Sequence, residues 1–205
     1  LILMFVALEI FSLPLYLLTG LSRRRRLVSQ EASVKYFLLG ALSSAIFLYG
    51  IALVYGAAGS FQLGIIAQAS MTQISGSKIF AAGMILLAVG LLFKVGAVPF
   101  HNWTPDVYTG APSPVTAFMS IATKMVAVLG LMRVMYVAMG AIRWDWQLLL
   151  AVVAVASMAV GAIVGLSQTD MKRMLAYSSI AHAGFIMVGV VGAYTLQTGQ
   201  RPDQT

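Results

Sequence analysis

The chain has 205 residues, is 60% hydrophobic and only 9% charged, and carries 13 Lys and Arg against 6 Asp and Glu, a formal net charge of +7. A water-soluble domain is about a quarter charged, so this composition excludes an ordinary soluble globule and points to a bilayer. Most of the basic excess sits in one run, Arg23-Arg24-Arg25-Arg26, which argues against nucleic acid, and a sequence without cysteine has no disulfide, thiolate metal ligand, iron–sulfur cluster or cysteine nucleophile.

A helix crosses the hydrocarbon with about 20 mostly apolar residues. Six stretches qualify, roughly Leu1 to Leu18, Tyr36 to Tyr55, Ile79 to Val98, Val115 to Met139, Trp146 to Leu166 and Met174 to Tyr194. The expected fold is therefore an all-α polytopic transmembrane bundle, with one domain over residues 1–196 and a polar loop or tail over 197–205. Leu1-Ile2-Leu3 carries no basic n-region or small-residue cleavage site, so the first segment reads as a mature span of a longer protein.

Glu9 lies in the middle of the first span. The Arg run follows, then Lys35, which opens the second span where snorkelling to the headgroups is the cheaper reading. Gly56 to Ser77, rich in Gly, Ser and Gln, reads as a solvated connection with a short helix. In the third span Lys94 precedes Val95-Gly96-Ala97-Val98-Pro99-Phe100-His101, where Gly and Pro within one turn predict a broken helix. Broken helices in membranes line hydrated cavities and mark ion sites. Trp103 to Pro114, with Pro105, Pro112 and Pro114, is expected to be a rigid interfacial connector, with Ser113 capping the next helix and Pro114 at its first position. His101 and Asp106 are candidates for a proton mouth there. Lys124 falls inside the fourth span, Arg133 and Arg143 sit near an interface, and His182 lies in the last span beside Ser178 and Ser179.

Basic residues in alternate loops set orientation. Arg23 to Arg26 with Lys172 and Arg173 make six on one side, against Lys78, Arg143 and Arg201 on the other, so the first face is expected to be cytoplasmic and both chain ends to face outward.

An ionisable group at the centre of a membrane helix costs at least about 2.5 to 3.5 kcal/mol, which makes Glu9, Lys94 and Lys124 the informative residues. The plain alternative is an ion pair that pins helices. Two lysines cannot both be fully paired by one carboxylate, however, so at least one needs water or another acceptor. Burial favours a neutral amine and a nearby carboxylate favours the ammonium, so such a set can exchange protons near neutral pH. No catalytic triad, Walker loop or dinucleotide fingerprint is present, and two histidines on separate segments make a weak metal site at best.

Phe93-Lys94-Val95-Gly96-Ala97-Val98-Pro99-Phe100-His101-Asn102-Trp103-Thr104-Pro105-Asp106-Val107-Tyr108, continued by Gly110-Ala111-Pro112-Ser113-Pro114-Val115-Thr116-Ala117-Phe118, resembles the subunit N family of NADH-quinone oxidoreductase, respiratory complex I. Ala7 to Tyr16 and Gln168 to Gly184 are similar to further stretches of that proton-conducting, antiporter-like family. The resemblance implies a fold of two inverted bundles, of which this chain would be the fifth to tenth helices. It also implies proton-relay roles for Glu9, Lys94 and Lys124, and less securely for Lys35, His101 and His182. Partners would be the other membrane subunits and a peripheral redox arm, which would hold the flavin, iron–sulfur clusters and quinone; the location implied is a bacterial plasma membrane. A multisubunit cation/proton antiporter shares the fold and the Glu and Lys pattern. A structural assembly subunit is the third reading.

Overall fold

The computed structural model describes residues 1–22, 26–72, 76–140 and 143–198, without the side chains of 143–145 and 194–198. Arg23, Arg24 and Arg25 of the basic run, the side chain of Arg143, and residues 199–205 of the expected tail, including Arg201, lie outside the described residues.

The described residues form helices throughout: α1 (Ile2–Thr19), α2 (Arg26–Ala58), α3 (Leu63–Thr72), α4 (Lys78–Val95), α5 (Trp103–Gly110), α6 (Ser113–Phe118), α7 (Lys124–Arg133), α8 (Arg143–Leu166) and α9 (Met171–Thr198). Six segments are long and apolar enough to cross a membrane, with α6 and α7 joined into one span, Ser113–Ala138. The six expected spans are thus present. The second starts earlier than read from apolarity, at Arg26 rather than Tyr36. Ser29, Ala32, Tyr36, Gly40, Ser43 and Phe47 recur at helical spacing on its buried face, and burial of that stripe extends the helix through its polar first turns.

Helix α2 packs along α4, and α8 along α9. At the first contact Gly50 is required: a Cβ there would stand 2.8 Å from the backbone nitrogen of Leu87. The larger core, including Ile51, Leu87, Leu91, Val95, Leu131 and Met135, fills the space between α2, α4 and α7. A smaller core of Tyr16, Tyr36, Phe93, Trp103, Tyr108 and Met119 seals one end.

The expected break in the third span is present. Helix α4 ends at Gly96, whose φ of +75° is open to glycine at little cost. The Gly96 amide donates to Phe93 O and the Ala97 amide to Leu92 O, each at 3.0 Å, a Schellman closure. Chain direction resumes in α5. Much of the expected connector from Trp103 is itself a helix, α5, in which Trp103, Thr104, Val107 and Tyr108 are buried. The indole N–H of Trp103 donates to Phe93 O at 2.9 Å, and Ser157 of α8 accepts from the Val98 amide at 2.9 Å, so the broken backbone is satisfied by side chains.

Ser113 is not a cap: Pro112 holds the N-cap position, Ser113 is the first helical residue, and no side chain caps the helix. A proline-fixed φ at that point makes the entry to the helix without needing a hydroxyl acceptor. Two wide π-turns, Met119–Thr123 and Val134–Ala138, flank α7. The short helix foreseen in the 56–77 connection is α3, with Ile66 and Ser70 buried.

Candidate functional site

Helix α1 carries Glu9, Ser12 and Tyr16 at spacings of three and four, which places them on one face of an apolar helix. Lys94 is the last turn of α4, at the negative end of its dipole, where a cation is favoured. The two meet inside the bundle. Lys94 Nζ donates to Ser12 Oγ at 2.8 Å and to Tyr16 Oη at 3.4 Å, and stands 3.9 Å from Glu9 Oε1. Ser12 passes its own hydrogen to Leu8 O at 2.6 Å. Glu9 accepts a short hydrogen bond from Ser44 of α2. A Cβ at Gly40 of α2 would collide with the Tyr16 hydroxyl, so glycine there makes room for this ring.

Lys124 follows the first π-turn directly, and such bulges in helices cluster at functional sites. Its ammonium donates to Ser179 O at 2.7 Å and Ser179 Oγ at 2.6 Å on α9. No carboxylate pairs with it among the described residues, which answers the expectation that one lysine needs another acceptor. Lys94 and Lys124 are 8% and 6% exposed, the only buried cations among the described residues.

Lys35, half-exposed, pairs with Glu31 at 2.7 Å and with Asp106 of α5 at 2.9 Å, because α2 extends past it and presents it to the broken helix. Arg173 of α9 holds the other oxygen of Asp106 at 2.8 Å. Partial burial opposes the Asp106 charge, but the Lys35 hydrogen bond and the charges of Lys35 and Arg173 outweigh it and hold the carboxyl below its ordinary range. This cluster puts the starts of α2 and α9 and the α4–α5 break on one face, as the loop pattern requires. Arg133 is exposed.

His101 sits at the break, edge-on to Tyr177, with centroids 6.4 Å apart. Burial pushes its pKa down, with the Pro99 carbonyl acting the other way, and its Nδ1 makes no well-formed hydrogen bond. His182 is exposed on α9; its Nδ1–H donates to Ser178 O at 2.7 Å. It lines a cavity of about 350 Å³ with Lys124 and Ser179. The structure therefore brings Glu9 to Lys94 and His182 to Lys124, and leaves Lys35 in a separate ion cluster. Ser12, Ser44, Ser179 and Tyr16 are site residues that sequence reasoning missed. The polar stripe on α1 was the available signal for Ser12 and Tyr16.

No group of three or more metal-ligating side chains gathers among the described residues. A half-buried carboxylate near a buried lysine, a broken helix and hydroxyl acceptors can store and pass protons. The profile of the transmembrane family described as NADH:quinone oxidoreductase/Mrp antiporter matches residues 1–199. The chain belongs to this family. A relative named NADH-quinone oxidoreductase subunit N from Cutibacterium acnes is 74% identical over 205 residues, covering 100% of this chain and 38% of that protein. The chain thus spans well under half the length of that relative. Among solved structures, respiratory complex I from Thermus thermophilus with bound aureothin contains a similar chain at 44% identity and TM-score 0.76, covering 92% of this chain and 40% of that one. The Mrp complex from Dietzia sp. DQ12-45-1b contains one at 27% identity and TM-score 0.82, covering 91% of this chain and 34% of that one. Family membership places this chain in a membrane as a multi-pass helical bundle with an antiporter-like fold.

Proposed function

We propose that the chain is part of a proton-translocating membrane subunit of an NADH-quinone oxidoreductase, with Glu9, Lys94 and Lys124 as the residues that carry the proton. The observation that carries this reading is the Lys94 ammonium held by Ser12 at 2.8 Å with Glu9 standing off at 3.9 Å. A carboxylate that closes on the ammonium holds the proton there; one that swings to Ser44 releases it. The gap is small enough for side-chain rotation to close it. Protons reach Lys94 from the face of the basic loops, past His101 and the broken helix, and move laterally toward Lys124. Lys35, in its separate ion cluster, and His182, beside Lys124, are weaker candidates. Flavin, iron–sulfur clusters and quinone supply the electron transfer in partner subunits, and this chain's groups move protons only.

Identity supports subunit N: 74% to the Cutibacterium acnes relative against 27% to the Mrp chain. The fold itself is shared, and the TM-score of 0.82 to the Mrp complex keeps a multisubunit cation/proton antiporter as the second reading. Native membranes solubilised gently and resolved on a native gel decide between them. Co-migration with a band that oxidises NADH is expected; migration in a large assembly without that activity favours the antiporter. Lys94→Ala then tests the relay, with a large fall in proton pumping and intact assembly expected. Unchanged pumping would leave the charges as helix pins, the role of a structural assembly subunit.

A further inference from the structure

Helices α8 and α9 are in backbone contact. A Cβ at Gly161 of α8 would stand 2.6 Å from the Ala181 amide nitrogen and 2.8 Å from Tyr177 O, and one at Gly184 of α9 would stand 2.7 Å from Ala154 O. Small residues let membrane helices approach this closely, and packing so dense makes the pair move as one body. Tyr177 and Ala181 bracket Ser179, whose carbonyl and hydroxyl hold the Lys124 ammonium at 2.7 Å and 2.6 Å.

Ser157 lies one turn before Gly161 on α8 and is wholly buried. Its hydroxyl donates to Val153 O at 2.7 Å, which satisfies it within its own helix. Alanine would serve α8 as well. The Ser157 oxygen, however, also accepts from the Val98 amide at 2.9 Å, across the gap to the end of α4. The amides around that one are accounted for: Ala97 closes onto Leu92 O, and Pro99 has none. Val98 is thus the last donor on the Lys94 side of the proline, four residues from the lysine. The Arg173 pair with Asp106 and the contact of His101 with Tyr177 also tie α9 to this region, but both lie beyond Pro99.

We propose that Ser157 is a positioning residue that couples the charge of Lys124 to the backbone beside Lys94, with the α8–α9 pair as the rigid body between them. The coupling rests on the translocation reading, in which both lysines change charge. Hydrogen bonds from an ammonium are about twice as strong as those from a neutral donor. Protonated Lys124 therefore holds the Ser179 turn of α9 firmly, α8 follows α9, and Ser157 holds the Val98 amide. Loss of the Lys124 charge loosens each in turn, and the break beside Lys94 opens more readily.

The test uses the complete complex and reads hydrogen–deuterium exchange of the peptide covering residues 97–102, with NADH-driven proton uptake in inverted vesicles as the second readout. Lys124→Met should speed exchange of that peptide at least about fivefold, the lower end of coupling between distinct sites. The rise should vanish when both members of the comparison carry Ser157→Ala and persist when both carry Ser157→Thr, which keeps the hydroxyl. A serine that only packs would leave the two rises equal. Ser157→Cys, close in size with a weaker acceptor, takes the place of Ser157→Ala if that variant fails to assemble. Unchanged exchange in Lys124→Met, or an equal rise with and without the Ser157 hydroxyl, overturns the coupling. Exchange is read without turnover, so wild-type proton uptake in Lys124→Met overturns the translocation reading separately.

Discussion

Lys94 donates to Ser12 at 2.8 Å, closer than its 3.9 Å approach to Glu9. A neutral hydroxyl, already committed to Leu8 O, is thus the first acceptor of the buried ammonium, and the carboxylate is divided between it and Ser44.

Replacing Glu9 by Gln keeps an acceptor for Ser44 and removes the charge beside Lys94. Two unit charges at this separation interact by about 4 kcal/mol at an effective dielectric of 20, before further screening. Proton pumping should fall at least about tenfold, with NADH-oxidising complex still present on a native gel. Dye-quench assays in inverted vesicles measure it, and unimpaired pumping would rule out Glu9 as the switch.

Ser12→Ala removes the nearest acceptor of Lys94, and hydrogen bonds to charged groups are worth about 1.5–3 kcal/mol. Pumping should drop, and Ser12→Thr, which keeps the hydroxyl, should restore most of it. If Ala and Thr behave alike in the vesicle assay, the hydroxyl has no part in holding the lysine.

Gly96 terminates α4 with φ at +75°, and a Cβ added there would lie 2.7 Å from Thr104 Oγ1. Gly96→Ala should lower thermal stability in detergent by about 1–2 kcal/mol for the left-handed backbone alone, with the contact adding to it. Adding Thr104→Ala should relieve the contact and leave the backbone cost, so the double variant recovers part of the loss. A double variant no more stable than Gly96→Ala would mean that the Thr104 contact contributes nothing.

The carboxyl of Asp106 is held below its ordinary value when folded. Its contribution to stability is therefore fully present above the unfolded pKa of about 3.9 and is lost as pH falls through the lower folded value. Asp106→Asn should reduce stability at pH 7, by about 0.2–1 kcal/mol for each partly exposed pair, and the difference from the native chain should shrink toward pH 3. Melting curves against pH check this; a difference independent of pH would mean that the Lys35 and Arg173 contacts do not depend on the charge.

Composition and apolar length alone determined six membrane spans, because each helix must satisfy its own backbone in lipid and needs a fixed run of apolar residues to do so. Gly96 and Pro99 likewise marked the break, since each restricts the backbone locally. The motif around Lys94 carried the family, and the ionisable residues Glu9, Lys94 and Lys124 stood out by their cost in an apolar run. Only the tertiary structure decided what each of them touches. Ser44 and Ser179 are ordinary residues in helices far along the chain from Glu9 and Lys124, and nothing in local spacing predicts which hydroxyl a lysine will find. The partner of Lys35 likewise depends on α2 extending past it and on α5 bringing Asp106 within 2.9 Å. Pairing across helices depends on crossing angle and rotation, which are set by the summed packing of many side chains and not by any single residue.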